Sequence, residues 1–112
     1  MTIDERIQAM LTGIEDVIAP NVYTGPETEY LVYSYFTGGA VYAERRPRAL
    51  VYSVMVHLFL PHGANPTAKK NAVCEAVFAA GGTWPNITNA SDSKGQHYVF
   101  EFELAAGNEP GA

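Results

Sequence analysis

Three groups of side chains in this chain are of types that can do chemistry: the histidines, a pair of glutamates and a lone cysteine. His57, His62 and His97 are nitrogen donors of the kind that bind transition metals. Their placement argues against such a site, because Pro61 and a strand end separate the first two, and no acidic residue adjoins any of them. A metal centre needs convergent ligands, each oriented by a further partner, so His57 reads as a half-exposed strand residue. Glu101 and Glu103 lie two apart, which on a strand brings both carboxylates out on one face. That arrangement suits acid–base work. It is equally the outward face of any amphipathic strand, and the companions of a catalytic carboxylate are missing, so the pair reads as solvated or interface carboxylates. Cys74 sits among Ala72, Val73, Ala76 and Val77, whereas a nucleophilic thiol needs a base and an electropositive, accessible setting. It reads as a buried structural thiol. Gly38-Gly39 and Gly81-Gly82 match no phosphate-binding loop and read as turn glycines. No catalytic, cofactor-binding or metal-binding set is expected, and the protein is not expected to be an enzyme.

The remaining chemical feature is electrostatic. Arg45, Arg46 and Arg48 gather three of the seven basic residues of a chain whose formal net charge is -5. One reading is a charged hairpin tip that blunts a sheet edge. The other is a contact arm, in which guanidinium groups pair with carboxylates of a neighbouring subunit. The candidate contact loop comprises Tyr42, Glu44, Arg45, Arg46 and Arg48, with Glu101 and Glu103 as candidate interface carboxylates. The negative balance argues against holding nucleic acid by phosphate neutralisation. With 47% hydrophobic and 17% charged residues, the chain has apolar content for a core and few charges for its surface. One cysteine allows no internal disulfide, and no apolar run reaches membrane-span or signal length, so a cytoplasmic fold without a membrane partner is expected.

The elements that must position these residues follow from periodicity. Ile3, Ile7, Met10, Leu11, Ile14, Val17 and Ile18 recur at helical spacing, and Thr2 with Glu5 forms a capping box, which predicts a helix over residues 3 to 18. Tyr30 to Phe36 is a first strand, Gly38-Gly39 breaks it, and the charged segment that follows is an extended hairpin or loop. Leu50 to Leu60 alternates plainly, one parity facing a core and the other partly covered. Asn65-Pro66 opens an alanine-rich helix running to about Ala80. Trp84 to Gln96 reads as loop, and His97 to Leu104 as a last alternating strand. The expected fold is a single α+β domain over residues 1–104, a mainly antiparallel sheet of three or four strands with two helices on one face, followed by a disordered tail over 105–112.

This order of segments resembles the tail-completion proteins of long-tailed bacteriophages, the tail terminator or tail-to-head joining proteins. The resemblance spans residues 3 to 104. It rests on the amphipathic first helix, the proline-containing linker, the strand Tyr30-Leu31-Val32-Tyr33-Ser34-Tyr35 and the loop with Tyr42-Ala43-Glu44. It continues through Tyr52-Ser53-Val54-Met55-Val56, the helix with Lys69-Lys70-Asn71-Ala72-Val73-Cys74-Glu75, and His97-Tyr98-Val99-Phe100-Glu101-Phe102-Glu103. The resemblance implies a virion structural subunit, assembled in the host cytoplasm, that forms a homo-oligomeric ring, a hexamer. Its implied partners are the tail-tube protein and a head-completion or connector protein, with DNA passing through unbound and no cofactor. The alternative is a small-ligand or peptide-binding α+β module whose pocket is lined by Tyr30, Tyr33, Tyr35, Trp84 and Tyr98.

Overall fold

The computed structural model describes residues 2–43 and 46–107. Two helices, α1 (Ile3–Leu11) and α2 (Thr67–Ala79), accompany five strands: β1 (Ile18–Pro20), β2 (Tyr30–Ala43), β3 (Arg46–Leu60), β4 (Asn86–Asn89) and β5 (Gln96–Gly107). The strands form one sheet in the order β1-β2-β3-β5-β4, antiparallel except for the β1–β2 pair. The fold is α+β, with one strand more than the upper expectation.

Alternation builds the core. On β3, Tyr52, Val54, Val56, Leu58 and Leu60 are all buried, and their cross-strand partners Leu31, Tyr98, Phe100, Phe102 and Leu104 are buried with them. Ile3, Ile7 and Leu11 of α1 and Val73, Cys74 and Val77 of α2 complete the same cluster, so both helices cover one face of the sheet. Burying an aliphatic or aromatic side chain this completely contributes about 1.5–3 kcal/mol. Cys74 is part of this core, and burial pushes its thiol pKa up, away from the reactive thiolate.

The first helix begins as expected and ends early. The Thr2 hydroxyl accepts from the Glu5 amide at 3.1 Å, while the Glu5 carboxylate accepts from the Thr2 amide at 3.0 Å. Thr12 leaves helical angles and Gly13 follows at φ 92, a left-handed conformation that glycine adopts without a Cβ penalty. Ile14 still reaches the core through the turn, and Ile18 reaches it as part of β1, paired with Leu31. Helical spacing thus continued past the helix because a turn and a strand bury the same residues. At the second helix, the Asn65 side-chain oxygen accepts from the Thr67 amide at 3.0 Å. Lys69 then ties α2 to the turn after α1, lying 2.8 Å from the nearly buried Glu15 carboxylate.

Three other expectations are corrected. Gly38-Gly39 does not break the first strand: β2 runs on to Ala43 opposite β3, with register shifts between Gly39 and Val41 and between Val41 and Tyr42 that absorb the irregularity as a bulge. The segment read as an extended hairpin or loop is the far part of a two-stranded antiparallel ribbon, the first of those two readings. Asn86–Asn89, read as loop, pairs with β5 as a short edge strand. Finally, β5 extends past Leu104 to Gly107, because Ala105 and Gly107 find partners in Val51 and Leu50; the rest of the expected tail lies outside the described residues.

Candidate functional site

With both helices on one face, the other face of the sheet carries no helix among the described residues and is bordered at one end by Asn21, Val22 and Tyr23, where Val32 and Val99 are buried. Register lays its side chains out in rows. Tyr30, Phe59 and His97 form one row, and Val32, His57, Val99 and Thr88 the next. Then come Ser34, Met55, Glu101 and Asn86, and finally Phe36, Ser53 and Glu103. The bare face is thus aromatic at one end and acidic at the other, and the acidic end leads towards the ribbon.

At the aromatic end the rings stack across three strands. Tyr30 lies on Phe59 at 4.6 Å between centroids and 19° between planes, and Phe59 on His97 at 4.2 Å and 17°. Tyr23, from the segment between β1 and β2, extends the stack against Tyr30 at 4.6 Å. Offset stacking of this kind adds about 0.5–1.5 kcal/mol per pair beyond area burial. Below it, His57 Nδ1 and His97 Nε2 share a hydrogen bond of 2.8 Å. Burial lowers the pKa of both imidazoles; the neighbouring His97 charge adds to this at His57, while Asp92 opposes it at His97. The lowered pKa values favour the neutral rings, and the contact fits two neutral imidazoles, one donating its N–H to the other's lone pair.

Sequence reasoning placed these histidines apart and they are together, whereas His62 lies away from them, against the Ser93 carbonyl at 3.1 Å. The signal in the sequence was parity alone: His57 and Phe59 share one face of β3 and His97 and Val99 one face of β5. The register between those strands, separated by α2 in sequence, was not encoded locally. Among the described residues no three His, Cys, Asp or Glu side chains converge.

Glu101 and Glu103 emerge on the bare face as expected, both exposed. Of the contact loop, Tyr42 and Arg46 belong to the ribbon ladder, Tyr42 opposite Pro47 and Arg46 opposite Ala43, and Arg48 lies within β3. Glu44 and Arg45 lie outside the described residues. Glu103 faces Ser53, seven positions from Arg46 along β3, or about 23 Å at strand rise. The basic segment and the glutamates therefore occupy separate parts of one chain.

The five aromatics of the alternative pocket do not converge. Tyr30 is on the bare face, while Tyr33 and Tyr35 donate to the two carboxylate oxygens of Asp4 at 3.1 and 2.9 Å, latching α1 to β2. Tyr98 lies in the core under the Lys70 ammonium, and Trp84 is exposed beside Phe78. Compared with models of known protein families and with curated proteins, the chain matches none.

Proposed function

We propose that this protein is a structural subunit of a phage tail, closing into a homo-oligomeric ring that ends tail-tube polymerisation and joins the tail to the head. The observation that carries the proposal is the bare sheet face beside a long ribbon. A ring requires a heterologous contact, in which one patch of each copy meets a different patch on the next. The basic segment and the exposed Glu101 and Glu103 are unlike in charge, and along β3 Arg46 stands seven positions from the partner of Glu103. Among the described residues β1 pairs with β2 at Leu31, Val32 and Tyr33, so beyond that point β2 has an edge on which an adjoining strand could pair. The net negative charge suits a channel that DNA traverses without adhering. The resemblance in segment order supplies the tail and the head as partners.

A ligand-binding module is the second reading. It is favoured by a groove of about 320 Å³ lined by Tyr30, Phe59, Pro61, His62, Gln96 and His97. Light scattering on the full chain, alone and with tail-tube protein, separates the two. Ring closure predicts a discrete oligomer, a hexamer, that Arg45→Ala combined with Arg46→Ala disperses while the fold persists. A strict monomer at high concentration, even with tube protein present, overturns the assembly reading.

A further inference from the structure

We infer that a second copy of this chain pairs with the β2 edge, strand to strand and antiparallel, about a two-fold axis at Thr37. β1 stops because Asn21 takes a left-handed φ of 65 and the chain turns, with the Val22 amide donating to the Pro20 carbonyl at 2.7 Å. Up to that turn the outward groups of β2 are taken: the Leu31 amide donates to the Val17 carbonyl, and the Tyr33 carbonyl accepts from the Asn21 amide. Alternate residues of a strand turn their backbone groups to the same side, so the next outward positions are Tyr35, Thr37 and Gly39. Among the described residues no backbone group bonds to them from that side. The edge also lacks the usual protection, since Ser34 to Ala43 contains neither a charged residue nor a proline. By contrast the outer side of β5 is covered by β4, by the Thr83 amide on the Glu103 carbonyl at 3.0 Å, and by Arg6 Nη1 on the Ala105 carbonyl at 3.1 Å.

A two-fold at Thr37 fits what lies along this edge. It sets Thr37 opposite the partner's Thr37 and Tyr35 opposite the partner's Gly39, hydrogen-bonded pairs that together make about six backbone bonds. On the bare face it sets Phe36, 67% exposed, opposite the partner's Gly38, a position where a Cβ would meet nothing within 4 Å. An aromatic ring laid over a strand glycine covers backbone that the glycine leaves bare, and the symmetry makes this contact on both sides of the axis. Past Gly39 the edge of the second copy is occupied by its own β1. That is where β2 departs from register, with shifts between Gly39 and Val41 and between Val41 and Tyr42. A cavity of about 370 Å³ lined by Asp4, Pro20, Asn21, Tyr33 and Tyr35 opens at the same junction and gives room to the departing chain. The contact is isologous and closes on two copies. It uses neither the arginine segment nor Glu101 and Glu103, so it goes beyond the ring reading and is tested apart from it.

The test is sedimentation equilibrium on the full chain, with circular dichroism as the check of fold. Arg45→Ala combined with Arg46→Ala removes the charges of the ring contact and should leave a dimer. Thr37→Pro added to that variant should raise the dimer's dissociation constant by about tenfold or more. The amide it removes points outward, so the single chain loses no ladder bond. Thr37→Lys and Thr37→Glu should each weaken pairing in the same way, and the two mixed in equal parts should pair again, because only this register sets position 37 against itself. If these variants lose their circular dichroism, amide hydrogen exchange of the wild type takes their place: Tyr35 and Thr37 should be protected at high concentration and lose that protection on dilution. A monomeric arginine variant, a folded Thr37→Pro that pairs as before, no recovery on mixing, or protection independent of concentration overturns the proposal. So does pairing of this edge with a strand of tail-tube protein while the chain itself stays single.

Discussion

Tyr52→Phe should make this protein more stable, although it removes a polar group from a core tyrosine. Tyr52 is fully buried on β3 between Thr37 of β2 and Leu104 of β5, with its ring edge-on to Tyr35 at 5.7 Å and 88°. Its hydroxyl finds no hydrogen-bond partner among the described residues. In the unfolded chain that hydroxyl is hydrated, so folding costs about 1–3 kcal/mol for stripping it of water without return. Phenylalanine removes the cost and keeps the ring, the edge-to-face contact and the apolar burial. The space left by one oxygen offsets a few tenths of a kcal/mol, so the net gain is about 1 kcal/mol, which raises the melting temperature by about 4 °C for a chain of this size. The control is the same chemical change at Tyr98, whose hydroxyl donates to Gln96 Oε1 at 2.6 Å. That amide in turn donates to the Pro61 and Ala64 carbonyls. Tyr98→Phe should therefore destabilise by about 0.5–1.5 kcal/mol. Urea denaturation followed by circular dichroism reads both variants, and the sign of each shift decides. A Tyr52→Phe midpoint at or below that of the wild type refutes the reasoning, because it means the hydroxyl is satisfied in the folded protein.

Two further outcomes follow from close contacts on the bare face and at the β3–β5 end. Because burial holds His57 and His97 below their ordinary pKa, the unfolded chain binds more protons than the folded one just below pH 6.5; stability is full above that pH and falls as the pH drops from there towards the folded values. Urea midpoints measured with chelator present at pH 7.5, 6.5 and 5.5 should decline in that order, and the decline should shrink in His57→Gln; an unchanged slope in that variant would assign the effect to other groups. Gly95→Ala should destabilise by about 1–3 kcal/mol, since its Cβ would stand 2.9 Å from the Leu60 carbonyl oxygen, a backbone atom that cannot turn away. Thermal melting of this variant at the wild-type temperature would show that the β3–β5 end yields more easily than its ladder suggests.

What was legible in the sequence was what is decided within a few residues. The Thr2–Glu5 capping box and the alternation of β3 each depend on neighbours along the chain, and each stands as expected. The end of α1 was not legible, because Ile14 and Ile18 keep helical spacing while a turn and the pairing of β1 with Leu31 bury them by other means. Gly38-Gly39 read as a break because glycine weakens an isolated strand; opposite a long partner, the ladder on β3 outweighs that weakness and a bulge takes up the misfit. Asn86–Asn89 is too short and polar to announce itself, and it becomes a strand only because β5 offers an edge.

The bare face follows the same division and explains where its chemistry lies. Parity assigns His57, Phe59, His97, Glu101 and Glu103 to one side of the sheet, but only register decides which of them touch. One step of slip between β3 and β5 would turn one strand's whole set to the helical side, where burying imidazoles and carboxylates is far more costly than burying Phe100 or Val56. The core therefore selects the register, and the register in turn brings the two imidazoles within 2.8 Å and leaves both glutamates facing outward. Contact chemistry on this face is a by-product of core packing on the other.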